Sequence, residues 1–485
     1  MRLSKVFNGY PDVEIKNIMM DSREKKPDSI FFCCVGLVND GHKLASMAVE
    51  NGAVAIVHCN ELEKYYEGVT YVKVEDTRQA MTDFINAFYD YPSHKMDVIG
   101  VTGTNGKTTI CWVIADLINH FSKCGYIGTI GYISGGELLP TELTTPKNDR
   151  MQSILAEMVD NGCKYAAIET SSEGLHAHRI DGIKIGTAIF NNLSRDHLNY
   201  HGTYENYFAA KCKLFEMLED DGVAIINIDD DYGKRLWSMV EKRKVSYSTK
   251  QDADYKAENI TEFQNHTEFD LVYQGVTRHV VTNMLADYNV YNLLAVIAVM
   301  NENGFALDEV IPLLSKINLT PGRCEFIDCG QDFSVIVDYA FTPNSFKNIF
   351  NFANKVTPKE NKIIALFGAA GDRDHGRREP TTTIADTYCS DIILTDDDVA
   401  TEKLEDILED LQQYIHNVKP YVIYDRYQAI KKACQIAGPG DTILLLGKGD
   451  EHFLLKAKGR EYWMSDAAAA RKALAEIKAE KENQI

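Results

Sequence analysis

Four side chains in the middle of this 485-residue chain have the types and surroundings for phosphate chemistry: Lys107, Glu169, His197 and Lys211. Lys107 lies in the stretch Gly100-Val-Thr-Gly-Thr-Asn-Gly-Lys-Thr-Thr109. An apolar strand pattern precedes it and a helix pattern from Thr108 to Phe121 follows. A strand, a Gly-rich turn and a helix in that order form a phosphate cradle. The glycines let backbone N–H groups approach the phosphates, the helix N-terminus adds partial positive charge, Lys107 reaches the β and γ oxygens, and the next hydroxyl, Thr108, serves a magnesium ion. Gly103, Thr104, Asn105, Gly106, Lys107, Thr108 and Thr109 are therefore expected to bind a nucleoside triphosphate. In the common Walker spacing a glycine would stand where Val101 is; here the glycines fall at 100, 103 and 106. The alternative, a Gly-rich turn that binds nothing, is disfavoured because both flanks and the Gly-Lys-Thr-Thr segment are in place.

The other three residues follow downstream. Glu169 ends an apolar strand pattern, His197 lies in the segment Asn191–Gly202 after another, and Lys211 sits in a helix pattern among apolar neighbours. Singly, they read as a strand-end acid, a satisfied loop histidine and a snorkelling lysine. Following a phosphate loop, they read together as a two-metal phosphoryl-transfer site.

The elements that must position these groups alternate strand and helix throughout. Strand patterns occupy Ile15–Met20, Ile30–Val35, Val54–His58, Tyr71–Val74, Tyr165–Glu169, Thr187–Asn191, Val223–Ile228, Val335–Tyr339, Lys362–Phe367, Asp391–Thr395, Tyr421–Tyr424 and Thr442–Leu446. Helix patterns include Leu44–Asn51, Arg78–Tyr89, Leu404–Ile415 and Ala429–Ile436, and Ala467–Asn483 reads as a surface helix. The expected fold is α/β in three domains: a small α/β domain at 1–95, a central domain at 96–320 with a P-loop-type, mostly parallel sheet, and a Rossmann-like domain at 321–485. Ligand sites should lie at the C-terminal strand ends. A net charge of −20 argues against a nucleic-acid partner. No run approaches the ~18 apolar residues of a membrane span. The N-terminus has no signal-peptide core, and the 11 cysteines form no CxxC pair. The expectation is a reduced, cytoplasmic monomer without membrane insertion.

At these residues the chain resembles the Mur ligase family of ATP-dependent amino-acid ligases. The resemblance spans nearly the whole sequence, through Asp21-Ser-Arg23, Asp40-Gly-His42, Gly103–Thr109, Thr144-Thr-Pro146, Glu169–Arg179, Asn192–Gly202, Ala209-Ala-Lys211, Asn289–Asn292, Pro321–Glu325, Asp338-Tyr-Ala340, Gly371–Asp374, Asp396–Glu402 and Gly447-Lys-Gly449. It implies a cell-wall enzyme of peptidoglycan synthesis. Such an enzyme extends UDP-N-acetylmuramoyl-L-alanyl-D-glutamate by one amino acid with ATP and Mg²⁺, through an acyl phosphate. Thr108 and Glu169 would hold one Mg²⁺; Glu169, His197 and Lys211, the last as N6-carboxylysine, would bear on a second. Asn289 would face adenine, and Arg323 and Asp338 would contact ATP. Met20, Ser22 and Leu37–Asn39 would meet the uridine nucleotide, and Thr144, Thr145, Ser171 and Arg179 the muramoyl-peptide. Arg373, Gly447 and Glu451 would line the amino-acid pocket.

The same resemblance bears on which amino acid is added. Relatives that add diaminopimelate carry Asp-Asn-Pro-Arg where this chain has Asp397-Asp398-Val399-Ala400. Ala400 cannot pair a second carboxylate, and burying one unpaired costs several kcal/mol. Asp398 suits an ammonium. The expected substrate is L-lysine or a similar diamino acid with one carboxylate. Ala177, Phe341, Asp450 and Ala286 depart from the family residues, which are glutamine, histidine, histidine and glycine. Two alternatives stay open: a paralogue that joins an amino acid to another carboxylate, and a nucleotide-binding regulator without catalysis.

Overall fold

A computed structural model describes residues 1–36, 39–263 and 266–482. The expectation at Leu37 and Val38 lies outside the described residues. The chain forms two compact units: Met1–Gly100 with Ser122–Gly186 and Glu216–Glu219, and Val101–Phe121 with Thr187–Phe215 and Asp220–Ile485.

In the first unit, strands Asn17–Met19, Ser29–Phe32, Ala53–His58 and Thr70–Lys73 form a parallel sheet in that order. Helix Thr77–Phe88 covers one face with Phe84 and Ile85, and the Asp76 carboxylate caps it by accepting from the N–H groups of Arg78 and Gln79. The chain then reverses at Asp90 and Tyr91, both with positive φ. Strands Cys124–Gly128 and Tyr165–Glu169 pair in parallel, and Gly131–Ile133 and Leu138–Leu139 continue from the first of them as an antiparallel meander. Helix Asn148–Asp160 packs on helix Thr77–Phe88, with a buried Gln152–Asn86 hydrogen bond of 3.0 Å.

In the second unit, helix Lys107–Ile118 packs against helix Asp287–Glu302. The latter carries the unbroken apolar run 293–300, buried on every side, so it is a buried rather than an amphipathic helix. Strands Leu218–Asn227, Lys244–Ser248 and Tyr255–Glu262 run parallel, and Tyr255–Glu262, Thr267–Tyr273 and Val276–Thr282 form an antiparallel meander. The strand patterns above did not include the meander. Its alternating burial leaves one polar face, which weakens the apolar signal.

The C-terminal residues build a six-stranded sheet in the order Glu325–Phe326, Ser334–Asp338, Thr442–Leu446, Ile363–Phe367, Asp391–Leu394, Tyr421–Val422. All its pairings are parallel except the first. The core strands are apolar on both faces, as parallel strands covered by helices must be. Helix Asp466–Glu482 is a surface helix as expected: Arg471, Lys472 and Lys478 are exposed, while Ala469, Ala470 and Ala473 bury the other face against helix Arg426–Ile436. Small side chains let the two backbones approach. Among the described residues all 11 cysteines are free, and no helix is long and apolar enough to cross a membrane.

Candidate active site

The phosphate loop lies in the second unit. Val101 is fully buried in the preceding strand, so the position of a Walker glycine is taken here by a core residue. At Gly106 φ is +90°, and a Cβ there would lie 2.3 Å from Asn191 Nδ2 and 2.4 Å from Asn292 Oδ1. Only glycine fits. Residues that follow strand Ile185–Phe190 bind the loop. Asn105 N–H donates to Asn192 Oδ1 at 2.9 Å, Asn191 Nδ2 donates to the Asn105 carbonyl at 3.0 Å, and Thr104 Oγ1 accepts from Ser194 N–H at 2.9 Å.

Two lysines converge on this loop. Lys107 Nζ donates to the carbonyls of Gly103 at 2.9 Å and Thr104 at 3.0 Å. Lys211 Nζ donates to the same Gly103 carbonyl at 2.8 Å and lies over the Tyr207 ring at 4.5 Å. Lys211 is 1 % exposed, so it does not snorkel. Burial pushes its amine well below the usual lysine range, and the Lys107 charge pushes it further. His197 adopts a left-handed backbone, its ring 6.1 Å from that of Tyr207 and its Nε2 3.4 Å from Asp196. Asp196 also accepts from Arg377 at 2.6 Å.

An amide chain links the loop to Asn289. Asn191 Nδ2 donates to Asn292 Oδ1 at 2.9 Å, Asn292 Nδ2 donates to Asn289 Oδ1 at 2.7 Å, and Asn289 Nδ2 donates to the Leu285 carbonyl at 2.7 Å. Ala286, just before that helix, has φ +74°, a region that favours the family's glycine. Arg323 stacks on Tyr339 at 4.1 Å. Burial lifts the Asp338 carboxyl to about 6, with Arg323 pulling it back. Asp450 is lifted to about 6 by the same opposing pair of causes.

The expected amino-acid residues gather at the C-terminal strand ends. Lys448, fully buried, binds Asp398 at 2.7 Å and also Glu451, which in turn accepts from Tyr339 OH at 2.9 Å. Asp397 is buried, and a Cβ on Gly447 would lie 2.5 Å from its Oδ2. Ala400 N–H donates to the Leu455 carbonyl at 3.0 Å, and Leu455 N–H donates to Asp398 at 2.8 Å. Arg373 is exposed, on a loop whose Gly371 packs directly on Val399. Sequence reading had Lys448 and Tyr339 only as members of motifs, without a role, and missed Arg426. The Arg426 guanidinium binds the Asp396 and Leu446 carbonyls at 2.9 Å each and the buried Asp466 carboxylate. No local pattern marks it, since its partners come from three separate segments.

In the first unit, Glu169 is fully buried at its strand end. It accepts from Tyr126 OH at 2.8 Å, Thr129 N–H at 2.9 Å and Thr129 OH at 3.1 Å. Thr144 Oγ1 lies 3.1 Å from Thr129 Oγ1. Thr145 Oγ1 donates to the Glu169 carbonyl at 2.8 Å and accepts from Ser171 N–H at 2.9 Å, and Arg179 Nη1 donates to the Thr145 carbonyl at 3.2 Å. Glu169, Thr144, Thr145, Ser171 and Arg179 are thus brought together. Met20 and Ser22 follow another strand, where Asn51 Nδ2 donates to the Ser22 carbonyl at 2.8 Å. Ala177 caps the short helix after Ser171.

The residues fit an anionic nucleotide and a hard cation. Among the described residues, Asn105 Nδ2 and Arg323 Nε are buried donors without a protein partner. No three His, Cys, Asp or Glu side chains form a metal cage among those residues. A cation here would take hydroxyl, carboxylate and phosphate oxygens, the donor set that Mg²⁺ prefers.

Comparison with known proteins identifies the family. Residues 14–89 match "Mur ligase family, catalytic domain", 101–300 "Mur ligase middle domain" and 322–449 "Mur ligase, glutamate ligase domain". The chain is 38 % identical to a UDP-N-acetylmuramoyl-L-alanyl-D-glutamate--2,6-diaminopimelate ligase 1 of Clostridium acetobutylicum, over 93 % of this chain and 95 % of that protein. It is 35 % identical to a UDP-N-acetylmuramyl-tripeptide synthetase of Borreliella afzelii, over 99 % and 97 %. A solved UDP-N-acetylmuramoyl-L-alanyl-D-glutamate--2,6-diaminopimelate ligase superposes with TM-score 0.70 at 30 % identity, covering 98 % of this chain and 99 % of that one. A MurF ligase from Thermotoga maritima in complex with ADP, 16 % identical with TM-score 0.61 over 97 % and 99 %, shares the fold.

Proposed function

This chain belongs to the Mur ligase family, and from that premise we propose that it joins an amino acid to UDP-N-acetylmuramoyl-L-alanyl-D-glutamate at the expense of ATP. The observation that carries the reading is the pair of lysine amines on the Gly103 carbonyl, one of them buried, with burial and the Lys107 charge pushing its pKa down. A phosphate loop needs only Lys107. The second amine has chemistry of its own: a neutral amine adds carbon dioxide, releases a proton and becomes a carbamate anion. That change would turn Lys211 from a loop brace into an oxygen donor.

The reaction has two halves. An oxygen of the substrate carboxylate attacks the γ-phosphorus of ATP, and ADP leaves. The amino-acid nitrogen then attacks the acyl carbon, phosphate leaves, and the amine proton passes to solvent. Lys107, the loop N–H groups and the helix N-terminus stabilise negative charge on the transferring phosphoryl. Arg323 neutralises a phosphate or ribose-side acceptor with its orphaned Nε. Magnesium, when held by Thr108, Glu169, His197 and carbamylated Lys211, would supply further charge neutralisation. Met20, Ser22, Thr144, Thr145, Ser171 and Arg179 bind the nucleotide-sugar peptide, and Arg373 grips the α-carboxylate as a planar fork. The functional segments are 1–95 for the UDP-sugar, 96–320 for ATP and 321–485 for the amino acid.

The pocket favours a side-chain ammonium. Asp398 and Glu451 both bind Lys448, and buried Asp397 lies near Lys448 and Arg426. Ala400 brings no charge. This supports L-lysine or a similar diamino acid. Diaminopimelate is the second reading, favoured by the names of the relatives in the genus Clostridium and elsewhere.

Phosphate release tests the function. It is expected only when ATP, the UDP-muramoyl-dipeptide and an amino acid are all present. Release with a different carboxylate acceptor alone would instead make the chain a paralogue of another pathway. Absence of release in every combination would make it a nucleotide-binding regulator.

A further inference from the structure

The Glu169 carboxylate accepts hydrogen bonds from Tyr126 and Thr129, and the one from Tyr126 has no counterpart in the motifs that mark the phosphate loop. Tyr126 lies in strand Cys124–Gly128, otherwise Cys, Gly and Ile, and is fully buried. A buried tyrosine hydroxyl needs a partner. The parallel register pairs Tyr126 with Ala167 and Ile127 with Ile168, so Glu169 lies two residues beyond the Tyr126 partner, on the same face. The ring reaches along the strand and its OH donates to Glu169 Oε1 at 2.8 Å.

Two neighbours shape this contact. Gly128, between the tyrosine and the loop, leaves the space: a Cβ there would lie 2.0 Å from Glu169 Oε1 and 2.3 Å from Tyr126 OH. Thr129 supplies its N–H to the same oxygen at 2.9 Å and its hydroxyl to Oε2 at 3.1 Å. Donors on both oxygens fix the plane of the carboxylate as well as its position.

We propose that Tyr126, with Thr129, is a positioning residue that sets the orientation of the Glu169 carboxylate for a divalent cation. The inference rests on the reading above that Glu169 is a metal-binding carboxylate. Groups that hydrogen-bond a metal-binding carboxylate tune metal affinity by pre-setting its geometry, and losing one typically costs 10–100-fold. Tyr126→Phe keeps the ring and its packing and removes only the hydroxyl. Thr129→Val keeps the N–H and removes the other donor.

The test uses Mn²⁺ as the probe on the full-length chain. ADP affinity is measured by calorimetry across a series of Mn²⁺ concentrations, for wild type, Tyr126→Phe, Thr129→Val and Glu169→Gln. Wild type is expected to bind ADP more tightly as Mn²⁺ rises. Tyr126→Phe should shift the half-saturating Mn²⁺ upward by about tenfold, with metal-free ADP affinity unchanged and kcat recovered at saturating metal. Thr129→Val should shift it in the same direction. Unshifted Mn²⁺ curves in both variants, with Glu169→Gln abolishing the metal effect, would overturn the positioning role and leave Glu169 as a metal carboxylate. A Glu169→Gln protein with the wild-type curve, or a wild type without any metal effect, would overturn the parent reading and this inference with it.

Discussion

Replacing Asp466 by Asn isolates one buried charge. Asp466 and Arg426 are both 0 % exposed, joined at 2.8 and 2.5 Å, and Trp463 Nε1 donates to the same carboxylate at 3.2 Å. Burial alone would lower the Arg426 pKa, but Asp466 outweighs it, with Asp397 and Asp396 adding to the effect. An arginine does not deprotonate in a protein, so Asp466→Asn leaves a buried cation with only neutral acceptors. Removing one member of a buried pair costs about 3–5 kcal/mol. For a cooperative unit of about 150–250 residues, each kcal/mol shifts Tm by about 2–4 °C. The transition carrying the C-terminal sheet should therefore fall by about 6–20 °C in calorimetry. The double variant Arg426→Met with Asp466→Leu should recover most of that, because no charge stays behind. It should not recover the amino-acid KM. Arg426 also ties the carbonyls of Asp396 and Leu446, whose next residues, Asp397 and Gly447, are the ones proposed to line the amino-acid pocket, so KM is expected to stay raised on the order of tenfold or more. A single variant within about 2 °C of wild type, or a double variant no more stable than the single, would refute this reasoning.

Three other outcomes are expected. Burial lifts the Asp397 carboxyl from 3.8 to about 6, with Lys448 and Arg426 opposing. The folded state then holds a proton that the unfolded chain has lost, so wild-type stability falls as pH rises from about 4 to 6. Urea midpoints should show Asp397→Asn gaining up to about 3 kcal/mol on wild type above that window and nothing below it; a pH-independent difference would contradict this. Lys211→Ala should lose at least about 100-fold in turnover, with short carboxylates restoring part of it, whereas full activity would remove Lys211 from the site. Steady-state rates should favour L-lysine or L-ornithine over meso-diaminopimelate, and a clear preference for diaminopimelate would sink the ammonium reading at Asp398.

The elements most legible in the sequence were those whose signal is local. The parallel strands are short apolar runs with turn residues at their ends, and the loop at Gly103–Thr109 carries its own glycine spacing. Glu169 was singled out by its place at a strand end, where α/β sheets bind ligands, whereas Asp397 came only through the resemblance to the family. What stayed hidden depends on strand order. Ser334–Asp338 lies beside Thr442–Leu446, over a hundred positions away, and that pairing lets Tyr339 reach Glu451. The brace from Arg426 to Asp396, Leu446 and Asp466 and the amide chain from Asn105 to Asn289 exist only once helices and strands are stacked. The alanine-rich C-terminal helix was legible as a surface helix, but not which of its faces is buried: alanine fits an exposed face and a tightly packed one equally well, and only the partner helix decides.

Oxygen-18 transfer tests carboxylate activation at the Lys107 loop most directly. UDP-muramoyl-dipeptide labelled in the D-glutamyl γ-carboxylate, incubated with ATP and amino acid, should yield inorganic phosphate carrying one labelled oxygen together with a new amide. Unlabelled phosphate released alongside ADP would mean that water, not the substrate carboxylate, attacks the γ-phosphorus, and the ligase chemistry assigned to this site would be wrong.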